Sequence, residues 1–284
     1  MNEAERLTKL QILRDDFQVF APEMLKIMPK AGGSLVPFAF NKAQQYVHEK
    51  LEAQKAKTGK VRAIILKGRQ QGMSTFVGGR FYWLSSMARG RKSFIIAHEQ
   101  AASDNLFGLV KRYHDNNPLA PHTGTANAKE LLFDRLDSGY KVATAGTRDV
   151  GRSATTQHAH LSEFAFWPNA DLHLAGLGQT ISDMPGTEII IESTANGTGN
   201  SFHQLWQGAE SGENEYLAIF VPWFWQDEYS ADVPEDFELS SDDALYQKTY
   251  NLSLEQMAWR RNKIASFGRD REYLFDQEYP ASAQ

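Results

Sequence analysis

Short, nearly unbroken apolar runs alternate along this chain with longer stretches of helical period. That alternation is expected of a mainly parallel sheet covered by helices on both faces. The runs are Val61 to Leu66, Ser93 to Ala97, Thr187 to Glu192 and Tyr216 to Val221. Between them Phe76 to Met87, Ala101 to Asn116 and Leu254 to Phe267 read as helices, the last stopped by Gly268. Leu7, Leu10, Leu13, Phe17, Phe20 and Leu25 mark one amphipathic helix over residues 5–28 with Pro22 as a break, a packing element. Gly32-Gly33-Ser34 is a joint, and Asn41 is suited to cap the helix that follows Pro37 to Gln45. Residues 118–128 read as loop, and 130–133 with 140–144 as a hairpin or edge strands.

One junction carries chemistry. The strand Val61 to Leu66 runs through Lys67-Gly68-Arg69-Gln70-Gln71-Gly72-Met73-Ser74-Thr75 into a helix. Two glycines let consecutive backbone N–H groups converge on one anion, the helix N-terminus adds its positive end, and Ser74 is placed for a nucleotide-bound Mg²⁺. A regular phosphate loop has Lys immediately before its Ser or Thr, whereas this chain has Met73. Arg69 is the first candidate for the missing cation, because a guanidinium forks onto two phosphate oxygens, and Lys67 is the second. The bland alternative is an ordinary strand-to-helix turn.

Composition narrows the setting. The 284 residues suffice for one α/β domain with an appended subdomain. Cysteine is absent, which excludes disulfides and thiolate zinc sites and fits a reducing cytoplasm; no apolar run approaches the roughly 18 residues of a membrane span. A net charge of −5 confines any DNA contact to local patches, with Arg89 to Lys92 and Arg260 to Lys263 as the candidates.

Downstream, a glycine-punctuated loop carrying Arg148 and Arg152 precedes Gln157-His158-Ala159-His160-Leu161-Ser162-Glu163. Glu163, at the carboxyl end of a strand beside the cradle, is suited to orient and deprotonate the water that attacks a γ phosphate. Ser162 stands where such strands usually carry the Asp that holds Mg²⁺, so the metal is left to Ser74, Ser162, phosphates and water. A metal pair formed by His158 and His160 has no third ligand in evidence. Ser193-Thr194-Ala195-Asn196-Gly197, after the strand Thr187 to Glu192, is suited to sensing a γ phosphate. Phe38 or Phe40 with Gln44 offers either an adenine site or a plain capped helix with buried rings. Pro222-Trp223-Phe224-Trp225 opens a small helical subdomain, residues 222–284, that is placed to act as a lid.

The order of these motifs resembles the ATPase half of a tailed-phage terminase large subunit. It runs from Phe40-Asn41 with Gln44, through Gly68 to Thr75 and Gly151-Arg152-Ser153-Ala154, to His160 to Ala165 and Glu192 to Gly197. Val221 to Phe224, Glu255-Gln256 with Trp259 to Arg261, and Phe275 to Pro280 continue it, so that it covers residues 36–280. The resemblance implies a P-loop NTPase of ASCE type, a three-layer sandwich around a mainly parallel sheet. Its parts would be an N-terminal helical arm (1–35), an ATPase core (36–221) and a lid (222–284), with the family's nuclease expected to lie outside this chain. It implies ATP and Mg²⁺ as cofactors: Gln44 at adenine, Arg69, Gln70, Gln71, Gly72, Met73, Ser74 and Thr75 around the phosphates, and Ser74 and Ser162 toward the metal. Glu163 would be the base, Ser193, Thr194 and Asn196 part of the coupling motif, and Arg152, or failing it Arg148, an arginine finger toward a neighbouring subunit. Double-stranded DNA, the portal protein, the terminase small subunit and a ring of copies on the procapsid would be its partners, in the host cytoplasm, with a monomer expected in isolation. Two other readings stay open: a helicase-like or recombination-type DNA ATPase, and a nucleotide-binding assembly switch with little hydrolysis.

Overall fold

The computed structural model describes residues 2–145, 155–268 and 271–283. In chain order its elements are α1 (Glu3–Asp15), α2 (Phe17–Met24), β1 (Lys26–Ile27), β2 (Val36–Pro37), α3 (Lys42–Thr58), β3 (Val61–Lys67), α4 (Met73–Ser86), β4 (Lys92–Ala97) and α5 (Gln100–Asn116). There follow β5 (Thr125–Ala126), β6 (Glu130–Phe133), β7 (Ser138–Thr144), β8 (His158–Ser162), α6 (Ala170–Gly178), β9 (Glu188–Ser193), α7 (Ser201–Ser211) and β10 (Leu217–Val221). The last three are α8 (Ser241–Tyr250), α9 (Leu254–Phe267) and α10 (Glu272–Glu278).

Eight strands form one sheet in the order β10-β3-β9-β8-β4-β7-β6-β5, parallel from β10 to β7, with β6 and β5 adding an antiparallel edge. Alternate residues of each central strand face opposite layers. Ala63 and Ile65 of β3 join Phe17, Phe20, Phe38, Phe76 and Tyr113 in the cluster under α1 to α5. Ile64 and Leu66 join Trp167, Leu177, Phe202 and Trp206 under α6 and α7. The fold is therefore the expected three-layer α/β sandwich.

Three local expectations are corrected. The N-terminal stretch is two helices, and the break is Asp16, not Pro22: Asp16 is extended (φ −132°), ends α1, and its carboxylate caps α2 by accepting from Gln18 N and Val19 N. Thr125 and Ala126, expected in loop, pair with β6. The strand ending at Ser162 is not beside the cradle strand, because β9 lies between β3 and β8.

A buried ion pair fixes α4 against β9. Arg80 donates from Nε and Nη2 to the Glu188 carboxylate at 2.7 and 2.9 Å, and from Nη1 to Glu52 of α3 at 2.6 Å. Burial alone would raise the Glu188 pKa, but the guanidinium outweighs it and holds the carboxyl down at about 2. Residues after β10 build a separate aromatic cluster from Trp223, Tyr229, Met257, Phe275 and Tyr279. This cluster reaches the β3–α4 loop through the Arg69 N–H, which donates to the Glu278 carbonyl at 2.9 Å, and through the Tyr229 hydroxyl, which donates to the Arg69 carbonyl at 2.5 Å.

Candidate active site

The carboxyl ends of β3, β9 and β8 lie side by side, with Leu66 opposite Ser193 and Ser162 opposite Glu192. The β3–α4 loop bends over them through left-handed residues at Gln70 (φ +51°) and Gly72 (φ +76°). At Gly72 a Cβ would also lie 2.6 Å from Gln44 Nε2, so the position admits no side chain in this geometry. Among the described residues, the backbone N–H groups of Gln70 through Thr75 have no protein acceptor. Six consecutive free donors at a helix N-terminus form a cradle for an anion.

The loop is held from below and behind. The Gln71 side chain is buried, accepting from Gly68 N at 2.9 Å and donating to the Pro222 carbonyl at 2.6 Å. Gln44 is buried too: its Oε1 accepts from Asn41 N in a capping box, and its Nε2 donates to the Gly72 carbonyl at 2.8 Å. Phe38, buried, and Phe40, half-buried, pack against Phe17 beside the capped start of α3. In this structure Gln44 braces the loop.

Met73, in the usual lysine position, is buried in the apolar cluster under α4. Arg69 lies at the rim with its side chain 59% exposed and its Nε 3.3 Å from Glu278 Oε2. The cation at the centre is Lys67, the last residue of β3. Its Nζ donates to Glu163 Oε1 at 2.8 Å and lies 3.2 Å from Glu192 Oε2. Burial opposes the charge on Lys67, but the Glu192 and Glu163 carboxylates outweigh it and raise its pKa, keeping it an ammonium.

Glu192 is the residue that sequence reasoning missed as a site residue. It is fully buried, and its Oε1 accepts from Ser162 Oγ at 2.7 Å, Ser74 Oγ at 2.8 Å and His160 Nε2 at 3.2 Å. Desolvation would push its pKa up, yet Lys67, His160 and Ser162 hold it well below the usual carboxylate range. Its signal was available: an acid closing the apolar run Ile189-Ile190-Ile191. His158, by contrast, is plain core. Its Nδ1 meets Ser93 Oγ at 2.9 Å, and burial lowers its pKa to about 4.

Glu163 follows β8 with φ +54°, a conformation uncommon for a residue with a side chain, and the turn aims its carboxylate at Lys67. Ser193 and Thr194 brace it: Ser193 Oγ and Thr194 N lie 3.5 and 3.4 Å from Glu163 Oε2. Asn196 Nδ2 donates to the Ala165 carbonyl at 3.0 Å, tying the turn after β9 to the turn after β8. The structure thus gathers Lys67, Ser74, Ser162, Glu163, Glu192, Ser193 and Thr194, while Arg69, Gln44 and Met73 point elsewhere. Arg148 and Arg152 lie outside the described residues.

For Mg²⁺ the donor set fits an ion delivered with a polyphosphate. Ser74 supplies one hydroxyl beside a carboxylate, and among the described residues no cluster of three His, Asp or Glu could hold a metal by itself. The basic candidates for DNA contact are largely engaged within the protein. Arg260 pairs with Asp243 and Glu272, Arg261 with Asp243, Lys92 with Asp137, and Arg91 donates to the Gly186 carbonyl. Asp243, which receives both arginines, lies in the first turn of α8.

No family model and no curated protein sequence matches this chain. Solved structures do match. The HK97 bacteriophage large terminase superposes with a TM-score of 0.65 over 95% of this chain and 55% of that one, at 15% identity. The Thermus phage P74-26 large terminase ATPase domain gives 0.57 over 85% and 93%, at 19% identity. A large terminase from a thermophilic bacteriophage, in complex with ADP, gives 0.50 over 74% and 50%, at 13% identity. This chain therefore spans about half the length of the HK97 protein and of the ADP-bound terminase.

Proposed function

We propose, from a fold shared with the ATPase domains of phage large terminases, that this chain binds and hydrolyses ATP as the motor domain of a DNA-packaging machine. One observation carries the reading: six free N–H donors, the Ser74 hydroxyl, the Lys67 ammonium and the Glu163 carboxylate converge at the ends of adjacent parallel strands. That is a place to bind a triphosphate beside a base.

In this reading residues 68–75 cradle the phosphates through backbone N–H groups, and Ser74 reaches the metal. Mg²⁺, when bound with ATP, supplies charge neutralisation on the phosphate oxygens. Lys67 takes the place of the lysine missing at Met73, while Arg69 assists from the rim. Glu163 orients the attacking water and accepts its proton, with Ser193 and Thr194 holding the carboxylate. To do so it must give up its bond to Lys67, which arriving phosphate oxygens would draw toward themselves. Arg152, with Arg148 as the alternative, would act as the finger toward the next subunit. The lid, residues 222–284, bonded to the loop at Arg69, would transmit its state. Double-stranded DNA, a portal, a small-subunit partner and a ring of copies in the host cytoplasm complete the proposal.

The test is Glu163→Gln. The variant should bind Mg·ATP with near-normal affinity and release phosphate about 10² to 10⁴ times more slowly, the usual contribution of a positioned base. Normal turnover would remove Glu163 from that role. Wild-type protein that binds ATP but releases no phosphate would favour the assembly-switch reading.

A further inference from the structure

Position 162, immediately before Glu163, is where a phosphate-loop ATPase ordinarily carries the aspartate that holds its metal, and here it is serine. The Ser162 hydroxyl donates at 2.7 Å to Glu192, the residue opposite it on β9. The oxygen that receives it also takes the hydroxyl proton of Ser74, at 2.8 Å. A carboxylate from the strand between β3 and β8 thus collects both hydroxyls of the expected metal site. His160 Nε2 completes its surroundings at 3.2 Å, and Lys67 lies against the other oxygen.

A neutral serine hydroxyl that gives a lone pair to a divalent cation keeps its proton, and the proton needs an acceptor. In this structure that proton goes to Glu192 and not to Ser162, whose own hydroxyl proton goes to the same oxygen. Glu192 is fully buried, so no solvent competes for that acceptor. We propose that Glu192 is the metal-positioning acid of this site: it fixes the Ser74 hydroxyl for the divalent cation of a bound nucleotide, so that the function usually given to β8 has moved one strand over to β9. This rests on the ATPase reading above. Lys67 makes the move possible by standing between Glu192 and Glu163, two carboxylates that would otherwise repel one another.

The test uses the full chain with Mn²⁺ as the metal and a nonhydrolysable ATP analogue as the nucleotide. Mn²⁺ affinity is read by electron paramagnetic resonance, and metal-free nucleotide affinity by fluorescence in EDTA. Glu192→Gln should weaken Mn²⁺ binding about 10- to 100-fold, the usual cost of losing a partner that orients a ligand. Metal-free nucleotide binding should change less than about two-fold. The exchange variant Ser162→Asp with Glu192→Ser, which returns the carboxylate to β8, should recover most of the Mn²⁺ affinity. It also keeps the question answerable if Glu192→Gln folds poorly. Wild-type Mn²⁺ affinity in folded Glu192→Gln overturns the proposal. So does equal loss of metal-free and metal-dependent binding, or an exchange variant that folds but binds Mn²⁺ no better than Glu192→Gln. Wild-type protein that binds neither nucleotide nor Mn²⁺ would instead overturn the ATPase reading itself.

Discussion

Replacing Lys67 by methionine separates the two candidate cations. Lys67 is buried against Glu163 and the fully buried Glu192, whereas Arg69 is 59% exposed and touches one acid at 3.3 Å. Removing one member of a buried pair strands the other charge and costs about 3 to 5 kcal/mol; removing a rim pair costs about 0 to 1 kcal/mol. At about 1.4 kcal/mol per decade, Lys67→Met should raise the unfolding constant at least a hundredfold, while Arg69→Ala should stay within about fivefold. Urea unfolding at neutral pH, followed through the six tryptophans, reads this directly. If stranded charge is the cause, Lys67→Met combined with Glu192→Gln should unfold at higher urea than Lys67→Met alone, since the amide keeps an acceptor for the serine hydroxyls without the charge. ATP affinity of the variants that stay folded should fall with Lys67 and change little with Arg69. A Lys67→Met protein within about 1 kcal/mol of wild type, or nucleotide binding that depends on Arg69 alone, would refute the assignment.

Two further predictions concern the loop and the core. Gly72→Ala should weaken ATP binding and cost more stability than Gly90→Ala: both glycines have positive φ, at a price of about 1 to 2 kcal/mol for alanine, but only at Gly72 does the new Cβ meet an atom, Gln44 Nε2 at 2.6 Å. Equal stability loss and unchanged affinity would mean the loop yields freely. His158 should make the fold acid-sensitive: with its pKa lowered by burial to about 4, the unfolded chain binds the proton first, and stability falls between about pH 6.5 and 4 by up to about 1.4 kcal/mol per unit. Thermal melts across that range should show a shallower decline for His158→Asn, and parallel profiles would rule His158 out as the cause.

The strands were legible because burial on both faces leaves continuous apolar runs, and Val61 to Leu66, Thr187 to Glu192 and Tyr216 to Val221 lie within a residue of β3, β9 and β10. The glycine-bearing loop was legible for the same local reason, since positive φ at Gly72 restricts residue type. Strand order was not. That β9 separates β3 from β8 depends on crossovers, and the bond from Ser74 to Glu192 spans 118 positions. Arg80 illustrates the other limit: a lone arginine inside the apolar stretch Phe76 to Trp83 finds its partner Glu188 only when α4 crosses β9. Gln44 and Arg69 were assigned by position in a motif, and position alone does not say whether a side chain faces the site or braces the backbone behind it.

The two departures from the usual phosphate-loop pattern are chemically one change. An ordinary site sets a lysine at the end of its loop against an aspartate and a glutamate at the end of the neighbouring acidic strand, a formal charge of −1 before metal and nucleotide arrive. Here the lysine has become Met73 and the aspartate Ser162, yet Lys67, Glu192 and Glu163 restore the same sum within contact distance of one another. Neither replacement stands well alone. Glu192 buried without Lys67 would be an unpaired charge, and Lys67 without the two acids would be an ammonium desolvated at the end of a core strand. Moving the cation from the helix to β3 also frees position 73 for an apolar side chain, and Met73 packs into the cluster beneath α4. In the proposed ATPase the charge that a triphosphate and its metal would meet is thereby kept, carried by Lys67 on β3, Glu192 on β9 and Glu163 after β8.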